Sequence, residues 1–467
     1  MMNTYVKNYW SVYLDFLHDF KQLKYRGFSL PYLYHLPSLT RDNKAFWQAL
    51  YDDKFDEQLK HHVVEQKEIQ DVFQAYIQSH KKQSLVKKKH GKVLVNYDTI
   101  LRFPQKTFDD YFDHSKTLIL RVGPDGNNKE ISKIPTIYLS DYKIDTLKAI
   151  IQLQNETKTM FKTYREHHLY KDMNFQKVFM KKIVDIVHYI EQSVRLLDDV
   201  SVSCIIVSST HGYISRVLAL VAMEKGIPVI CMQHGIIANE FGYIPKIATI
   251  DAVYGHYETS WYQRIGVPKE SLAIIGHPRF DQAFQTPIVA KLKFHNQLGL
   301  DTCKKTLLVV VRGNRNIVKW RNLIRTISEK LHLNILIKDF PGNPPHPLTK
   351  EFPFVHSTQT YSLYDILPNV DGVVSYPSTV GLEAMLVNKP VFILNRKHPN
   401  NTGYYDDLDE LVQTDPIKLG ELVVKLFNDQ MYRKYVKAKR EDFLRIAYPN
   451  IGLSGERLKE IMNRLIG

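Results

Sequence analysis

Cysteine is scarce in this chain of 467 residues, which contains only Cys204, Cys231 and Cys303. The three lie far apart and lack the spacing typical of a metal site, and two of them lie in or beside apolar runs. A disulfide-rich secreted domain is therefore not indicated. We expect buried free thiols and a reducing cytosol.

Long apolar runs are also missing. No stretch reaches the roughly 18 apolar residues that a membrane-spanning helix needs. Polar and charged residues interrupt the first 16 residues, MMNTYVKNYWSVYLDF, which therefore lack the pattern of a cleavable signal. The sequence predicts a cytoplasmic protein, with peripheral association at the inner membrane face as an open alternative.

Several motifs of nucleotide and acyl chemistry are absent. No G-x-G-x-x-G follows the first strand pattern, and the sequence has no Walker motif and no G-x-S-x-G elbow. A dinucleotide oxidoreductase, a P-loop enzyme and an α/β-hydrolase are therefore not indicated. Because no His, Asp or Glu cluster has metal-ligand spacing, we expect a reaction without a bound metal and without a tightly bound cofactor.

Acidic residues are outnumbered, which gives a formal net charge of +14. Such a charge attracts phosphates, nucleic acid or an anionic membrane. The segment 80–92, HKKQSLVKKKHGK, is typical of a solvated loop, and contact with acidic lipid is the alternative. The sequence shows no zinc finger, no aromatic RNA-binding signature and no regular basic helix, so a nucleic-acid partner is not expected.

The first 90 residues show a helical pattern rich in aromatic residues. Five of these rings recur at roughly helical spacing: Tyr9, Trp10, Tyr13, Phe16 and Phe20. They predict a helix face packed into a core, and a membrane-facing stripe is the alternative.

Beyond residue 91, short apolar strand patterns alternate with helical ones. The strand patterns are KVLVNY, TLILRV, TIYLS, SCIIVSS, PVICM, DAVYG and LAIIG in one half, and TLLVVV, LNILI, DGVVSY and VFIL in the other. A polar stretch near residues 283–304 separates the two halves. This pattern predicts an α/β fold with two doubly wound, Rossmann-like domains. We expect a helical segment at 1–90, a first domain at 91–285, a second at 286–450 and a C-terminal helix at 451–467.

Reactive side chains follow the predicted strands of the first half. In doubly wound sheets, ligands bind beyond the carboxyl ends of the strands. His211 follows one strand, the run Gln233, His234 and Gly235 follows the next, and His277 and Arg279 follow the last. Because histidine titrates near neutral pH, His234 is a candidate general base for a hydroxyl nucleophile. A histidine that hydrogen-bonds a loop carbonyl is the alternative, for His211 in particular.

Cations and a predicted helix start follow the strands of the second half. Arg312 and Lys338 end two strands, and Ser378 and Thr379 lie where a third strand turns into a helix. Cations and the N-terminus of a helix both favour an anion, so together they predict a diphosphate site. An ordinary capped helix that binds nothing is the alternative. Glu383, one turn further on, suits either ribose hydroxyls or the helix dipole.

Four motifs carry a resemblance to a known family: MQHG (232–235), GHPRFD (276–281), IKDFPGN (337–343) and YPSTVGLEAMLVNKPV (376–391). With them, residues 201–394 resemble GT-B glycosyltransferases of bacterial surface-polysaccharide synthesis. The chain also looks like the related CDP-glycerol glycerophosphotransferases, although Lys338 is followed by Asp339-Phe340-Pro341 where that family tends to have His-Pro.

The resemblance implies a role for each matched residue. His234 would activate the acceptor hydroxyl, with His211, Gln233 and Gly235 on the acceptor side. The donor would be bound by seven residues, namely Arg312, Lys338, Ser378, Thr379, Glu383, His277 and Arg279. The implied activity is sugar transfer from a nucleotide-diphosphate donor, the co-substrate, to a glycan or lipid-linked glycan of a capsule, cell wall or spore coat. A glycerophosphotransferase, a UDP-sugar 2-epimerase and a non-catalytic nucleotide- or glycan-binding scaffold are the alternatives.

Overall fold

The computed structural model describes residues 2–81, 90–124, 130–286, 289–339, 343–358 and 361–467. Most of the basic segment 80–92 lies outside the described residues, as do Phe340, Pro341 and Gly342 of the motif IKDFPGN.

Helices and strands alternate over most of the chain. The α-helices are α1 (Thr4–Asp19), α2 (Leu36–Leu39), α3 (Lys44–Ala49), α4 (Gln66–His80), α5 (Gln105–Tyr111), α6 (Leu147–Thr163), α7 (Met173–Asp199), α8 (Tyr213–Glu224), α9 (His256–Arg264), α10 (Lys291–Leu298), α11 (Ile317–Ser328), α12 (Leu348–Glu351), α13 (Leu363–Ile366), α14 (Thr379–Leu386), α15 (Pro416–Asn428), α16 (Gln430–Ala447) and α17 (Ser454–Ile466). The strands are β1 (Lys24–Tyr25), β2 (Phe28–Ser29), β3 (Lys92–Asn96), β4 (Thr117–Arg121), β5 (Thr136–Tyr138), β6 (Val202–Val207), β7 (Val229–Met232), β8 (Ile250–Val253), β9 (Leu272–Ile274), β10 (Thr306–Val310), β11 (Asn334–Lys338), β12 (Val355–Ser357), β13 (Gly372–Ser375), β14 (Val391–Leu394) and β15 (Val412–Gln413).

Two parallel sheets form the frame of the molecule. The first has seven strands in the order β5-β4-β3-β6-β7-β8-β9, and the second has six in the order β12-β11-β10-β13-β14-β15. Their central strands, VSCIIV and TLLVV, are fully buried and mostly Val, Ile and Leu, as expected for sheets covered by helices on both faces. The predicted α/β fold with two doubly wound domains is confirmed.

The strand order in each sheet reverses direction once, between β3 and β6 in the first sheet and between β10 and β13 in the second. At such a reversal the connecting helices leave toward opposite faces and open a crevice beyond the strand ends. The change from one sheet to the other falls between β9 and β10, in the polar stretch noted in the sequence. The exact domain boundaries stay a prediction.

The N-terminal segment packs on the first sheet. The side chains of Tyr9, Trp10, Tyr13, Phe16 and Phe20 are all buried in the core that α1 shares with α7 and α8. The interpretation of these rings as a core face is confirmed, and the membrane-facing alternative is wrong for them. The segment is not entirely helical, because β1 and β2 pair as an antiparallel hairpin.

The C-terminal helix returns to the first sheet. Leu458, Ile461 and Met462 of α17 are buried in one apolar cluster with Val95 of β3 and Ile206 of β6. The chain therefore crosses from the second domain back to the first, and residues distant in sequence complete the first core.

Cys204 and Cys231 are buried free thiols, whereas Cys303 is exposed. Within the described ranges, no helix combines the length and the apolar character needed to cross a bilayer.

Candidate functional site

The carboxyl ends of the two sheets face each other across a cleft. A Cβ atom on Gly235, after β7, would lie 3.7 Å from the Thr379 hydroxyl oxygen at the start of α14. Nearby, the Thr402 amide donates to the Ala238 carbonyl at 3.3 Å, and the Tyr257 hydroxyl donates to the Thr402 carbonyl at 2.8 Å. Residues that follow strands of different sheets are thereby brought together.

His234 lies on the first-sheet side of this cleft and is partly exposed. Its ring stacks on that of Tyr243, with centroids 5.2 Å apart and planes at 9°. Neither ring nitrogen has a hydrogen-bond partner among the described residues. Burial lowers the pKa of His234 to about 4, against an opposing effect of Asp98, and Arg102 lowers it further. At neutral pH the imidazole is uncharged, so one ring nitrogen can accept a proton.

His211 is held differently. Its Nε2 atom lies 3.2 Å from the Ile244 carbonyl oxygen, and burial, followed by the charge of Arg216, keeps its pKa well below the usual value. This is the carbonyl-bonded arrangement that was the alternative for His211. Its place among the acceptor-side residues stays a prediction.

Gln233 fixes the loop that carries His234. Its side-chain amide donates to the Gly235 carbonyl at 2.8 Å and to Glu258 Oε1 at 2.9 Å, and its oxygen accepts from the Tyr254 amide at 2.9 Å. The other Glu258 oxygen accepts from the Gly255 amide at 3.0 Å. This buried network joins the ends of β7 and β8 and leaves the 233–235 loop few alternative conformations.

Glu258 predicts a measurable pH dependence. Burial raises its pKa from 4.5 to about 7. Between those values the native state binds more protons than the unfolded state, so the free energy of unfolding should fall as the pH rises. The full effect is about 3 kcal/mol. Since glutamine does not titrate, Glu258→Gln should gain stability relative to the wild type by about this amount between pH 4.5 and 8. Urea denaturation of both proteins at the two pH values measures this difference in the free energy of unfolding. The same change with pH in both proteins would contradict the prediction.

The second sheet presents the predicted cations and the predicted helix start on adjacent strands. Arg312 follows β10, Lys338 ends β11, and Ser378 caps α14 through a 3.1 Å hydrogen bond from the Val380 amide. Lys338 donates to the Tyr361 carbonyl at 3.2 Å, and burial lowers its pKa. We call residues 376–379, which join β13 to α14, the phosphate turn. Its position at the strand-order reversal matches the expected crevice.

Glu383 is buried in a cluster of side chains. Its Oε1 atom accepts from Arg279 Nη2 at 2.9 Å and its Oε2 atom from the Tyr364 hydroxyl at 2.6 Å. Only 3% of the residue is exposed. Neither interpretation of Glu383 from the sequence included Arg279 and Tyr364 as its partners. The role of Glu383 in binding a ribose stays a prediction.

His277 lies next to the cluster around Glu383. The ring is buried, and its Nδ1 atom accepts from the Arg279 amide at 3.1 Å. Burial, together with the charges of Arg279 and Arg102, keeps the pKa of His277 well below its usual value. A neutral ring in this position fixes the turn that carries Arg279. Direct contact of His277 with a donor stays a prediction.

Two side chains of the site were missed in the sequence. Asp98 and Arg102 follow β3, at the strand-order reversal of the first sheet. Asp98 accepts a hydrogen bond from the Ser208 hydroxyl at 2.5 Å. Burial, followed by the charge of Arg279, lowers the pKa of Arg102. The signal was present, because KVLVNY is a strand pattern and both residues lie just beyond it.

A cavity of about 430 Å³ opens beside the phosphate turn. We call it the arginine cavity, after Arg312, Arg315 and Arg396 in its lining. Its other walls include His35 and Pro37 of the N-terminal segment, Ala238, Asn239, Phe241 and Gly242, and the loop after β14. Within the described part of the chain, no three His, Cys, Asp or Glu side chains are grouped as a metal site would require.

Comparisons with known proteins bear on the fold. No protein-family model matches the chain, and no curated protein does. Among solved structures, the chain is similar to UDP-GlcNAc 2-epimerase from Neisseria meningitidis bound to UDP-GlcNAc, with a TM-score of 0.52, 12% identity, and coverage of 80% of this chain and 100% of that one.

Two further structures have slightly lower scores. The wall teichoic acid polymerase TagF matches with a TM-score of 0.49 and 10% identity over 86% of this chain and 94% of its own. MnaA of S. aureus, in a co-structure with UDP, matches with a TM-score of 0.49 and 12% identity over 79% of this chain and 94% of its own. At these identities the likeness to the epimerase shows the fold, and the GT-B fold is confirmed.

Proposed function

We propose that the protein is a glycosyltransferase that moves a sugar from a nucleotide-sugar donor to a growing bacterial surface polysaccharide. The observation that carries the proposal is the closeness of the 233–235 loop and the phosphate turn across the cleft. One side offers a neutral histidine, and the other offers the N-terminus of α14 with two cations on neighbouring strands. An enzyme of the same fold, the epimerase, has UDP-GlcNAc bound.

In the proposed reaction His234 takes the proton of an acceptor hydroxyl. The hydroxyl oxygen attacks the anomeric carbon of the donor sugar, and the bond from that carbon to the diphosphate breaks. The nucleoside diphosphate leaves with the electron pair, and its growing charge is stabilised by the positive end of the α14 helix dipole and by Arg312 and Lys338. The proposed scheme uses no tightly bound cofactor and no metal.

The proposed substrate indicates where in the cell the protein would act. Nucleotide sugars are used inside the cell, so the protein would act in the cytoplasm on a glycan or a lipid-linked glycan. Its charge of +14 would favour the inner membrane face. A capsule, a wall polymer and a spore coat are all consistent with this chemistry.

A product assay tests the proposal. The protein is incubated with labelled UDP-, GDP- and CDP-sugars and with CDP-glycerol, with and without acceptor glycans. We expect a nucleoside diphosphate to be released only when an acceptor is present, together with a labelled glycan.

The other outcomes identify the alternatives. Conversion of the sugar without an acceptor would identify an epimerase. Release of CMP from CDP-glycerol would identify a glycerophosphotransferase. Binding of a nucleotide without any product would identify a scaffold, and each of these three results would contradict the proposal.

A further inference from the structure

The arginine cavity is separate from most of the predicted donor residues. It shares Tyr376 and Pro377 with the phosphate turn, and it shares Arg312. Lys338, Glu383 and Arg279 do not line it. Its volume of about 430 Å³ falls within the roughly 300–1,000 Å³ of typical small-molecule sites. The cavity is therefore large enough for a small ligand.

The charged side chains that line the cavity are of one sign. Three arginines line it, and no aspartate or glutamate occurs among the described residues of its wall. Arg315 and Arg396 are exposed and form no ion pair with any carboxylate that the structure describes. Guanidinium groups bind phosphate and carboxylate with paired hydrogen bonds, so the cavity favours an anionic ligand.

The rest of the polar lining favours hydroxyl groups. Five asparagines line the cavity, and the side chains of Asn239 and Asn316 make no hydrogen bond within the described ranges. A carboxamide offers both a donor and an acceptor, which suits the hydroxyls of a sugar or polyol. The lining therefore combines anion recognition with polyol recognition.

The cavity adjoins a smaller one that His234 lines, since Gly242 lines both. Gly242 also precedes Tyr243, whose ring stacks on His234. On the opposite wall, Pro377 precedes Ser378 of the phosphate turn. A molecule in the cavity would thus lie close to the elements that carry the base and the phosphate turn, which is where a transferase needs its acceptor.

We infer that the arginine cavity binds the terminal unit of the acceptor glycan and that this unit is acidic, carrying a phosphate or a carboxylate. The inference rests on the proposed function and adds the chemical class of the acceptor. The N-terminal segment, which contributes His35 and Pro37 to the wall, would then help to select the acceptor.

Calorimetric titration of the full chain tests this inference. The probes are glucose 6-phosphate, glucuronic acid and methyl glucoside, which differ in having a phosphate, a carboxylate or no charge. We expect at least one of the acidic probes to bind at least about tenfold more tightly than the neutral one. Arg315→Gln and Arg396→Gln should each weaken that binding about tenfold. Arg433→Gln, on the exposed face of α16, is the matched control and should change nothing.

Nucleoside diphosphate binding, measured in parallel, separates this inference from the proposed function. We expect it to be unchanged in Arg315→Gln and Arg396→Gln. If it falls as strongly as in Ser378→Ala, the cavity belongs to the donor and the inference is wrong, while the proposed function stands. Equal binding of the neutral and acidic probes, or unchanged binding in the two variants, would also overturn the inference. Failure of the wild type to bind any nucleotide would overturn the proposed function, and the acceptor assignment with it.

Discussion

Replacing His234 with alanine should reduce turnover by roughly 10²–10⁴-fold, the usual contribution of a general base. Donor affinity should stay within about twofold, because the ring lies across the cleft from the phosphate turn and offers the donor no charge at neutral pH. Steady-state kinetics with the donor identified by the product assay, together with titration of the nucleoside diphosphate, measure both quantities.

A control variant and the pH profile make the test of His234 more specific. His256 is exposed at the start of α9, and His256→Ala should leave turnover unchanged. Since His234 must be unprotonated to act, and its pKa is about 4, kcat/KM should be level above about pH 5 and fall below it. Unchanged turnover in His234→Ala, or a loss of nucleotide affinity equal to the loss of turnover, would contradict the role of His234 as the base.

Replacing Glu383 with alanine should lower the free energy of unfolding by about 3–5 kcal/mol, as removal of one partner of a buried ion pair usually does. The change leaves the Arg279 guanidinium buried without its counter-charge and leaves the Tyr364 hydroxyl without its acceptor. Urea denaturation measures the effect. The double variant Arg279→Met, Glu383→Leu should recover most of the loss, since an apolar pair can replace a buried ion pair.

An exposed ion pair provides the matched control for Glu383. The pair Lys67–Asp71 on α4 has about half of each side chain exposed, at 50% and 56%. Asp71→Ala should therefore change stability by less than about 1 kcal/mol. A similarly small effect of Glu383→Ala would contradict the structural role of the Arg279 pair and would leave the carboxylate available to a donor ribose.

Much of the fold could be predicted from the sequence because its signals are local. Every strand pattern recognised between residues 92 and 394 corresponds to a strand of one of the two sheets. The strands β12 (VHS) and β15 (VQ) were missed, since each contains only one apolar residue and therefore shows no apolar run. The packing of α17 beneath the first sheet was also missed, because it depends on contacts between residues more than 250 positions apart in the chain.

The candidate site was predictable only in part. The residues that end or follow the strand patterns include His234, Arg312, Lys338 and the phosphate turn, and the structure places them at the carboxyl ends of the two sheets. Asp98 and Arg102 follow β3 in the same way and were not predicted.

Other contacts of the site could not be predicted from the sequence. Glu258 lies within helix α9 and meets Gln233 only through the fold, and Tyr364 meets Glu383 in the same way. A pattern along the chain cannot show which side chains meet across two sheets.

Thermal stabilisation by nucleoside diphosphates tests the central claim most directly. UDP, CDP and GDP are added to the wild type and to the double variant Ser378→Ala, Thr379→Val, with Ser362→Ala, which removes the equivalent cap of α13, as the control. We predict that one diphosphate, at about 100 times its dissociation constant, stabilises the wild type and the control by about 2.7 kcal/mol and the double variant much less. If none of the three stabilises the wild type, or if the double variant responds as fully as the control, the phosphate turn is an ordinary capped helix and the account is wrong.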